Sequence, residues 1–377
     1  MLYEKFKVKI PNVRVATGLY SHWDSFIKVN TTLKNLITNS RKIKPRDVVL
    51  KTKEEVFYVL DKKEGESLIS KKIFDWLNRK FKNRERKLGG NGNNMGRTLF
   101  KLGLRPLVSY PSRPEKLMKA SPNFYVALEK KLKNPKDTIR MKDKEIEHIV
   151  FEFEKNRYIL SWDPISSKGI FDYDWLELAS SRKFVDIVLI SYAHLLLPKY
   201  KKRTDEIIEY FDNPKRPKIH LEFGLGCKES MLYAIKKFSD CNCCDSWGLN
   251  ETECIEYFGA KSKNLKDLIE ASLKVLEDYE ISRVCVHCLE FVFSISRFDI
   301  KKEIEALKAA CLISSAYTFK KFNLKKARKL EVKLKPKKKK LGKYNFCLIP
   351  VPVNPEPKLL TGIGDIFSSV QAVKVLS

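Results

Sequence analysis

The sequence predicts an α/β protein with a mainly parallel sheet and a second, smaller α+β domain. Three observations carry that expectation. FVDIVLISYAHLL (184–196) is an uninterrupted apolar run, the pattern of a strand buried on both faces of a parallel sheet. From residue 180 onward, strand-like and helix-like segments alternate, the rhythm of βα units. HIVFEFEKNRYILSWD (148–163) alternates as two strands around a Glu-Lys-Asn turn. Such a hairpin fits a small sheet better than a parallel core.

The elements follow in order. VRVATGLY (13–20) reads as a first strand, followed by the polar-aromatic SHWDS. Residues 51–88 read as helical, with Phe57, Leu60, Leu68, Ile73, Trp76 and Leu77 as the apolar positions. They end at the Gly-rich LGGNGNNMG (88–96), after which RTLFKLGL (97–104) reads as a helix and LRPLVSYP (104–111) as a strand. Further on, DEIIEYFD is a helix, PKIHLEFG (217–224) a strand and SMLYAIKKF a helix. CDSWGLNETECIEYFG (244–259) is a strand end, turn and helix start. LKDLIEASLKVLEDY is a helix, SRVCVHCLEFVFSIS (282–296) a strand pair and KKEIEALKAACLISSAYTF (301–319) a helix. YNFCLIPVPV (344–353) is a strand, and TGIGDIFSSVQAVKVL (361–376) a Gly turn opening a helix. No internal repeat is evident.

Composition narrows the function classes. A length of 377 residues suits two domains, or one with a large insertion. At 43% hydrophobic residues the chain can bury a sizeable core, which excludes global disorder. No uncharged apolar stretch reaches the roughly 18 residues of a membrane span. The start MLYEKFKVKIPNV lacks the apolar core of a signal peptide, and the nine cysteines are irregularly spaced. Both point to reduced thiols and a cytoplasmic location. With 74 Lys+Arg against 46 Asp+Glu, the net charge of +28 suggests a polyanion partner: nucleic acid or small phosphorylated molecules. RKLEVKLKPKKKKLGK (328–343) is the one true basic run and reads as a solvated loop. Without a recognition motif, nucleic-acid binding rests on charge alone. A zinc reading of Cys241, Cys243 and Cys244 lacks a matching second pair, and Cys285–Cys288 lies in an apparent strand.

Four segments carry potential chemistry. In LTGIGDIFSS (360–369), Gly362, Ile363 and Gly364 can turn backbone N–H groups toward an anion at a helix N-terminus. Asp365 then lies where a carboxylate can take a proton from an attacking hydroxyl, or simply cap the helix. In a strand, His220 and Glu222 share one face, with Glu222 near the carboxyl edge where α/β ligands bind. Asn250, Glu251 and Glu253 offer oxygen ligands suited to Mg²⁺, or a capped helix start. Gly89, Gly90, Asn91, Gly92, Asn93 and Asn94 open a helix and allow close approach to a ligand, or form an ordinary loop.

The order and spacing of these motifs resembles the ADP-dependent glucokinase and phosphofructokinase family, a branch of the ribokinase superfamily. The matching pieces are Asp24 in LYSHWD, LGGNGNN (88–94), KIHLEFG (218–224), DSWGLNETE (245–253), CVHC (285–288) and IPVPVNPEPKLLTGIGDIFSS (349–369). The resemblance implies a ribokinase-like three-layer α/β/α large domain with a smaller lid domain. The large domain would comprise 1–24, 85–114 and 179–377, and the lid 25–84 and 115–178. It implies transfer of the β-phosphoryl of ADP to a sugar hydroxyl, such as that of glucose or fructose 6-phosphate, with Mg²⁺ and release of AMP. By match, Asp365 is the base and Gly362, Ile363 and Gly364 the anion hole. Glu222 and Glu253 support the metal, with Asn250 beside them. Asp24, Gly89, Gly90 and Asn91 face the sugar. His287, Val351, Pro352 and Val353 lie near the nucleotide. The departures sit on the sugar side: Tyr20 and His22 precede Asp24, Asn91-Gly92-Asn93 follows the double glycine, SYAH occupies 191–194, and LSWDP (160–164) lacks an expected basic residue. They leave open a non-catalytic nucleotide-binding paralogue.

Overall fold

A computed structural model describes residues 10–154, 156–165, 170–192, 199–224, 228–330, 336–357 and 362–377. The chain enters through β1 (Val15–Gly18) and passes into β2 (His22–Lys28), α1 (Thr31–Asn39), β3 (Val49–Leu50), α2 (Lys53–Asp61), β4 (Gly65–Ile69), α3 (Lys71–Lys80) and β5 (Glu85–Gly89). It continues through α4 (Asn91–Lys101), β6 (Leu107–Val108), α5 (Glu115–Ala120), β7 (Val126–Leu128), β8 (Lys131–Lys133), β9 (Glu147–Glu152), β10 (Arg157–Trp162) and α6 (Tyr173–Ala179). Next come β11 (Ile187–Tyr192), α7 (Tyr200–Phe211), β12 (Lys218–Phe223), α8 (Lys228–Asp240), β13 (Ser246–Asn250), α9 (Glu251–Phe258) and α10 (Leu265–Asp278). The last are β14 (Arg283–His287), β15 (Phe291–Ser296), α11 (Ile300–Tyr317), α12 (Leu324–Leu330), β16 (Lys337–Leu341), β17 (Tyr344–Pro350) and α13 (Ile363–Leu376).

Nine strands form the large sheet in the order β16-β17-β15-β14-β13-β12-β11-β1-β6. From β6 to β14 neighbours run parallel; β15, β17 and β16 add antiparallel partners at one edge. Apolar side chains cover both faces. Ile219, Leu221 and Trp247 pack with Trp175, Phe211, Phe238 and Leu268 on one side. Cys285, Val292 and Cys347 pack with Leu307, Ile313, Ile366 and Val370 on the other. The expected three-layer α/β/α arrangement follows from this double burial.

A second sheet, ordered β3-β4-β10-β9-β2-β5, buries one face under α1 to α3. Ile27, Ile149, Phe151, Tyr158 and Leu160 pack there against Leu33, Val56, Leu60, Ile73 and Leu77. Because strand side chains alternate, His22, Asp24, His148 and Ser161 project from the opposite face. Residues 22–24 and 85–89 belong to this small sheet, because β2 pairs with both β5 and β9.

Several local expectations change. Residues 51–88 are not one helical stretch: β4 separates α2 from α3, and Leu68 is on a strand. Apolar positions in GESLI continue the helical spacing, so the period hides the break; pairing with β10 makes it a strand. Helix α4 begins at Asn91, within the Gly-rich segment, since Gly90 at φ +85° supplies the turn. The basic run is not simply a solvated loop. It ends α12 and, at 337–341, forms the edge strand β16 with all four lysines exposed; 331–335 lie outside the described residues. The backbone of β17 offers it partners, and lysines on an edge discourage pairing with other chains. Cys241 and Cys243 form a disulfide, correcting the expectation of reduced thiols there; Asn242 at φ +49° brings their Cα atoms to 5.2 Å. Six other described cysteines are free. Among the described residues, no helix is long and apolar enough to cross a membrane.

Candidate active site

The site forms where α13 meets the carboxyl ends of β12 and β14. Gly362 caps α13 with φ +76°, where a Cβ would come within 2.8 Å of the Asn94 amide. Asp365 follows in the first turn, 9% exposed, and accepts a hydrogen bond from Asn94 Nδ2 at 3.0 Å. Burial pushes its carboxyl up to about 7; Asn94 opposes this and the charge of Glu222 adds to it. Residues 358–361, including Leu360 and Thr361, lie outside the described residues.

Glu222 is 4% exposed on β12. His287 Nε2 lies 2.7 Å from its Oε1, and Ser368 Oγ donates to its Oε2 at 2.6 Å. His220, on the same strand face, places Nε2 3.4 Å from Oε2. Burial alone would raise this carboxyl. The charge of His287 and hydrogen bonds from His220 and His287 instead hold it down to about 2. Burial works against His287 too, yet Glu222 raises its imidazole to about 9. The pair is therefore ionic at neutral pH. His220 is tied to Ser246 at 3.0 Å; Arg283 donates to Ser246 and, through two nitrogens, to Glu303. This buried polar chain fixes Glu222 from beneath.

Gly248 lies beside Glu222 in register, and a Cβ there would sit 2.1 Å from Glu222 Oε2. Gly248→Ala is expected to destabilise the fold by about 1–3 kcal/mol through overpacking. A lowered urea midpoint would show it; an unchanged midpoint would mean that Glu222 can move aside.

Glu253 and Asn250 form a reciprocal helix cap. The Asn250 N–H donates to Glu253 Oε2 at 2.8 Å, while Asn250 Oδ1 accepts from the N–H groups of Thr252 and Glu253 at 2.9 Å each. Burial pushes the Glu253 carboxyl up to about 8; the cap hydrogen bond opposes this and Glu222 adds to it. Two buried carboxylates thus lie within electrostatic reach. Their oxygen chemistry fits Mg²⁺, whose charge would favour both ionised forms.

Asp24 lies on the small sheet and is 7% exposed. A Cβ at Gly89 would fall 2.2 Å from its Cγ, so Gly89 keeps room for this carboxylate. A Cβ at Gly90 would meet the Tyr20 carbonyl at 2.6 Å, so the double glycine seats α4 against the β1–β2 crossing. Asn91 donates to Ser191, on β11; Ala193 and His194 lie outside the described residues. The charges of Asp24 and of Arg157, at the start of β10, both act on Asp365. Charges on the small sheet therefore reach Asp365 at the start of α13. Val351, Pro352 and Val353 follow β17, and Val351 packs in the same apolar cluster as Ile363 and Phe367 of α13. Val351 N–H donates to Glu290, Ser315 donates to the Pro352 carbonyl, and Val353 is exposed.

The sequence alone assigns no individual role to Asn94 or Ser368, though both lie in the segments singled out, and none to Arg157 or His148. Ser368 stands one helical turn after Asp365, a spacing that could have revealed it. Arg157 supplies a basic residue on the hairpin strand, but at its beginning instead of its end.

This geometry defines a class: an α/β protein with a large, mainly parallel sheet, a small second sheet and a buried carboxylate cluster between them. The family model for the ADP-specific phosphofructokinase/glucokinase conserved region matches residues 13–373, and the chain belongs to that family. No curated protein sequence matches it significantly. Among solved structures, a hypothetical ADP-dependent phosphofructokinase from Pyrococcus horikoshii OT3 aligns at TM-score 0.71 and 18% identity, over 98% of this chain and 99% of that one. A phosphofructokinase from the same organism, solved with AMP, aligns at 0.72 and 17%, over 98% and 99%. An ADP-dependent kinase in complex with fructose-6-phosphate and ADPβS aligns at 0.75 and 16%, over 97% and 94%. At such identities the structural likeness speaks for the fold.

Proposed function

We propose that this protein is an ADP-dependent sugar kinase, transferring the β-phosphoryl group of ADP to a sugar hydroxyl and releasing AMP. The observation that carries this reading is Asp365, buried behind Gly362–Gly364 at the start of α13 and held by Asn94, in a chain of this family. A carboxyl poised near 7 takes the proton of an attacking hydroxyl near neutral pH. The backbone N–H groups of Gly362, Ile363 and Gly364 hold phosphoryl oxygens at the helix N-terminus. His287, kept cationic by Glu222, adds positive charge beside them. Glu222 and Glu253 would hold Mg²⁺ directly or through water, supported by Asn250, and the ion when bound would neutralise charge on the transferring group. Val351, Pro352 and Val353 border the adenine.

The small sheet serves as a lid that excludes water from the cleft, with Asp24, Gly89, Gly90 and Asn91 toward the acceptor. The protein works in the cytoplasm. Its net positive charge favours anionic ligands.

The test is an acceptor panel of glucose, fructose 6-phosphate, ribose derivatives and nucleosides, offered with ADP or ATP and Mg²⁺. AMP release with ADP and one acceptor is expected; turnover with ATP alone, or with no acceptor, overturns the reading. Binding is expected to be visible without chemistry. ADP at about 100 times its Kd should stabilise the fold by about 2.7 kcal/mol. A thermal melt that ADP and AMP leave unchanged contradicts a nucleotide site.

A further inference from the structure

We propose that His22, Asp24 and His148 form a binding site for one divalent transition-metal ion on the cleft face of the small sheet. The strands bring the three together. His22 and Asp24 stand two residues apart on β2 and so share a face, and Asp24 lies in register with His148 on the parallel neighbour β9. One donor atom from each residue can be chosen so that all three lie within 4.8 Å of one another. His22 Nε2 is 3.2 Å from Asp24 Oδ1. Bonds of about 2.0–2.1 Å in a tetrahedral shell set neighbouring ligand atoms about 3.3 Å apart.

The nitrogen atoms left over argue against a purely structural cluster. His22 Nδ1 and His148 Nε2 are buried and have no hydrogen-bond partner. His22 is 6% exposed, and its ring stacks on that of His148 with centroids 3.7 Å apart, closer than the roughly 5 Å of two imidazoles on one tetrahedral ion, so one ring must turn for both to bind. Buried polar atoms are normally satisfied, and leaving them bare costs free energy. An ion bound through His22 Nε2 and Asp24 Oδ1 would replace the hydrogen bond these atoms share and would give His148 Nε2 a partner.

The donor set selects the ion. Two imidazoles and one carboxylate suit Zn²⁺, Co²⁺ or Fe²⁺, whereas Mg²⁺ prefers oxygen ligands. Glu66, held by Ser161 at 3.0 Å, and Asp163 both act electrostatically on His22 and would offset the ion's charge. Three protein ligands leave a position open for an oxygen atom of a cleft ligand. The site lies on the small sheet, whereas Glu222 is on β12 of the large sheet and Glu253 on α9, and it does not depend on the kinase reading.

The full chain, stripped with a chelator and kept in excess Mg²⁺, is dialysed against Zn²⁺ and titrated separately with Co²⁺ while visible d–d absorption is followed. One equivalent of Zn²⁺ and nitrogen/oxygen-type Co²⁺ bands are expected. Loss of an outer-shell partner costs roughly 10–100-fold in metal affinity. Loss of a ligand in His148→Ala or Asp24→Asn is expected to cost at least that much, with Glu253→Gln unchanged. His148→Gln, checked for native circular dichroism, covers the case in which His148→Ala fails to fold. No bound Zn²⁺ in the wild type overturns the proposal. So does Zn²⁺ binding that survives His148→Gln, or that is lost in Glu253→Gln. Nucleotide is absent throughout, so a failed kinase assay leaves the outcome unaffected.

Discussion

Asp365→Asn is expected to lower the rate of ADP-driven phosphoryl transfer by roughly 10²–10⁴-fold, the usual contribution of a positioned general base. The amide keeps the size of the side chain but cannot take a proton. Nucleotide affinity, read from thermal shift, should change little. In the wild type, kcat/KM should rise with pH through about 7 as the buried carboxyl ionises; the variant should lack that limb. Stability gives an independent check. This carboxyl sits at about 7 in the fold, above its ordinary value near 4 in the unfolded chain. Between those values the folded protein retains a proton that the unfolded chain has lost. Its contribution to stability therefore falls as pH rises through that window. The asparagine variant should gain on the wild type in melting temperature from pH 4 toward 8, and the gain should vanish below about pH 4. Full kinase activity in Asp365→Asn would remove this residue from the chemistry.

Glu222→Ala is expected to destabilise the protein by about 3–5 kcal/mol, because it leaves the His287 charge buried without its partner. Ser368 and His220 also lose their contacts. The sign is opposite to that at Asp365. The Glu222 carboxyl is held down to about 2, so its contribution is complete above the ordinary carboxylate range and disappears as pH falls through 2. His287, raised to about 9, contributes fully below its ordinary value near 6.5 and loses that contribution as pH rises through 9. Urea unfolding near neutral pH should therefore show the full deficit. NMR titration of His287 should show its value dropping in the variant. If it stayed near 9, the pairing with Glu222 would not be its cause.

Much of the site could be read from short stretches because its local geometry is short-range. The two-residue period of a strand sets His220 and Glu222 on one face. The Gly362-Ile363-Gly364 turn places Asp365 in the first turn of α13. Asn250 and Glu253, three residues apart, close a cap by themselves. Hydrophobic spacing misled where two periods overlap, as at Leu68, and charge misled where an edge strand carries lysines, as at 337–340.

The sequence by itself determined the alternation of helices and strands, the hairpin at 148–163, and the order of motifs that marks the family. These depend on neighbours a few residues apart. Only the tertiary structure decided which groups meet. His287 reaches Glu222 from 65 positions away, Ser368 from 146, and Asn94 reaches Asp365 across 271. The register of β2 against β9 alone sets Asp24 beside His148. Burial and distance between charges fix proton affinities, and both arise only when strands far apart in the chain pack side by side.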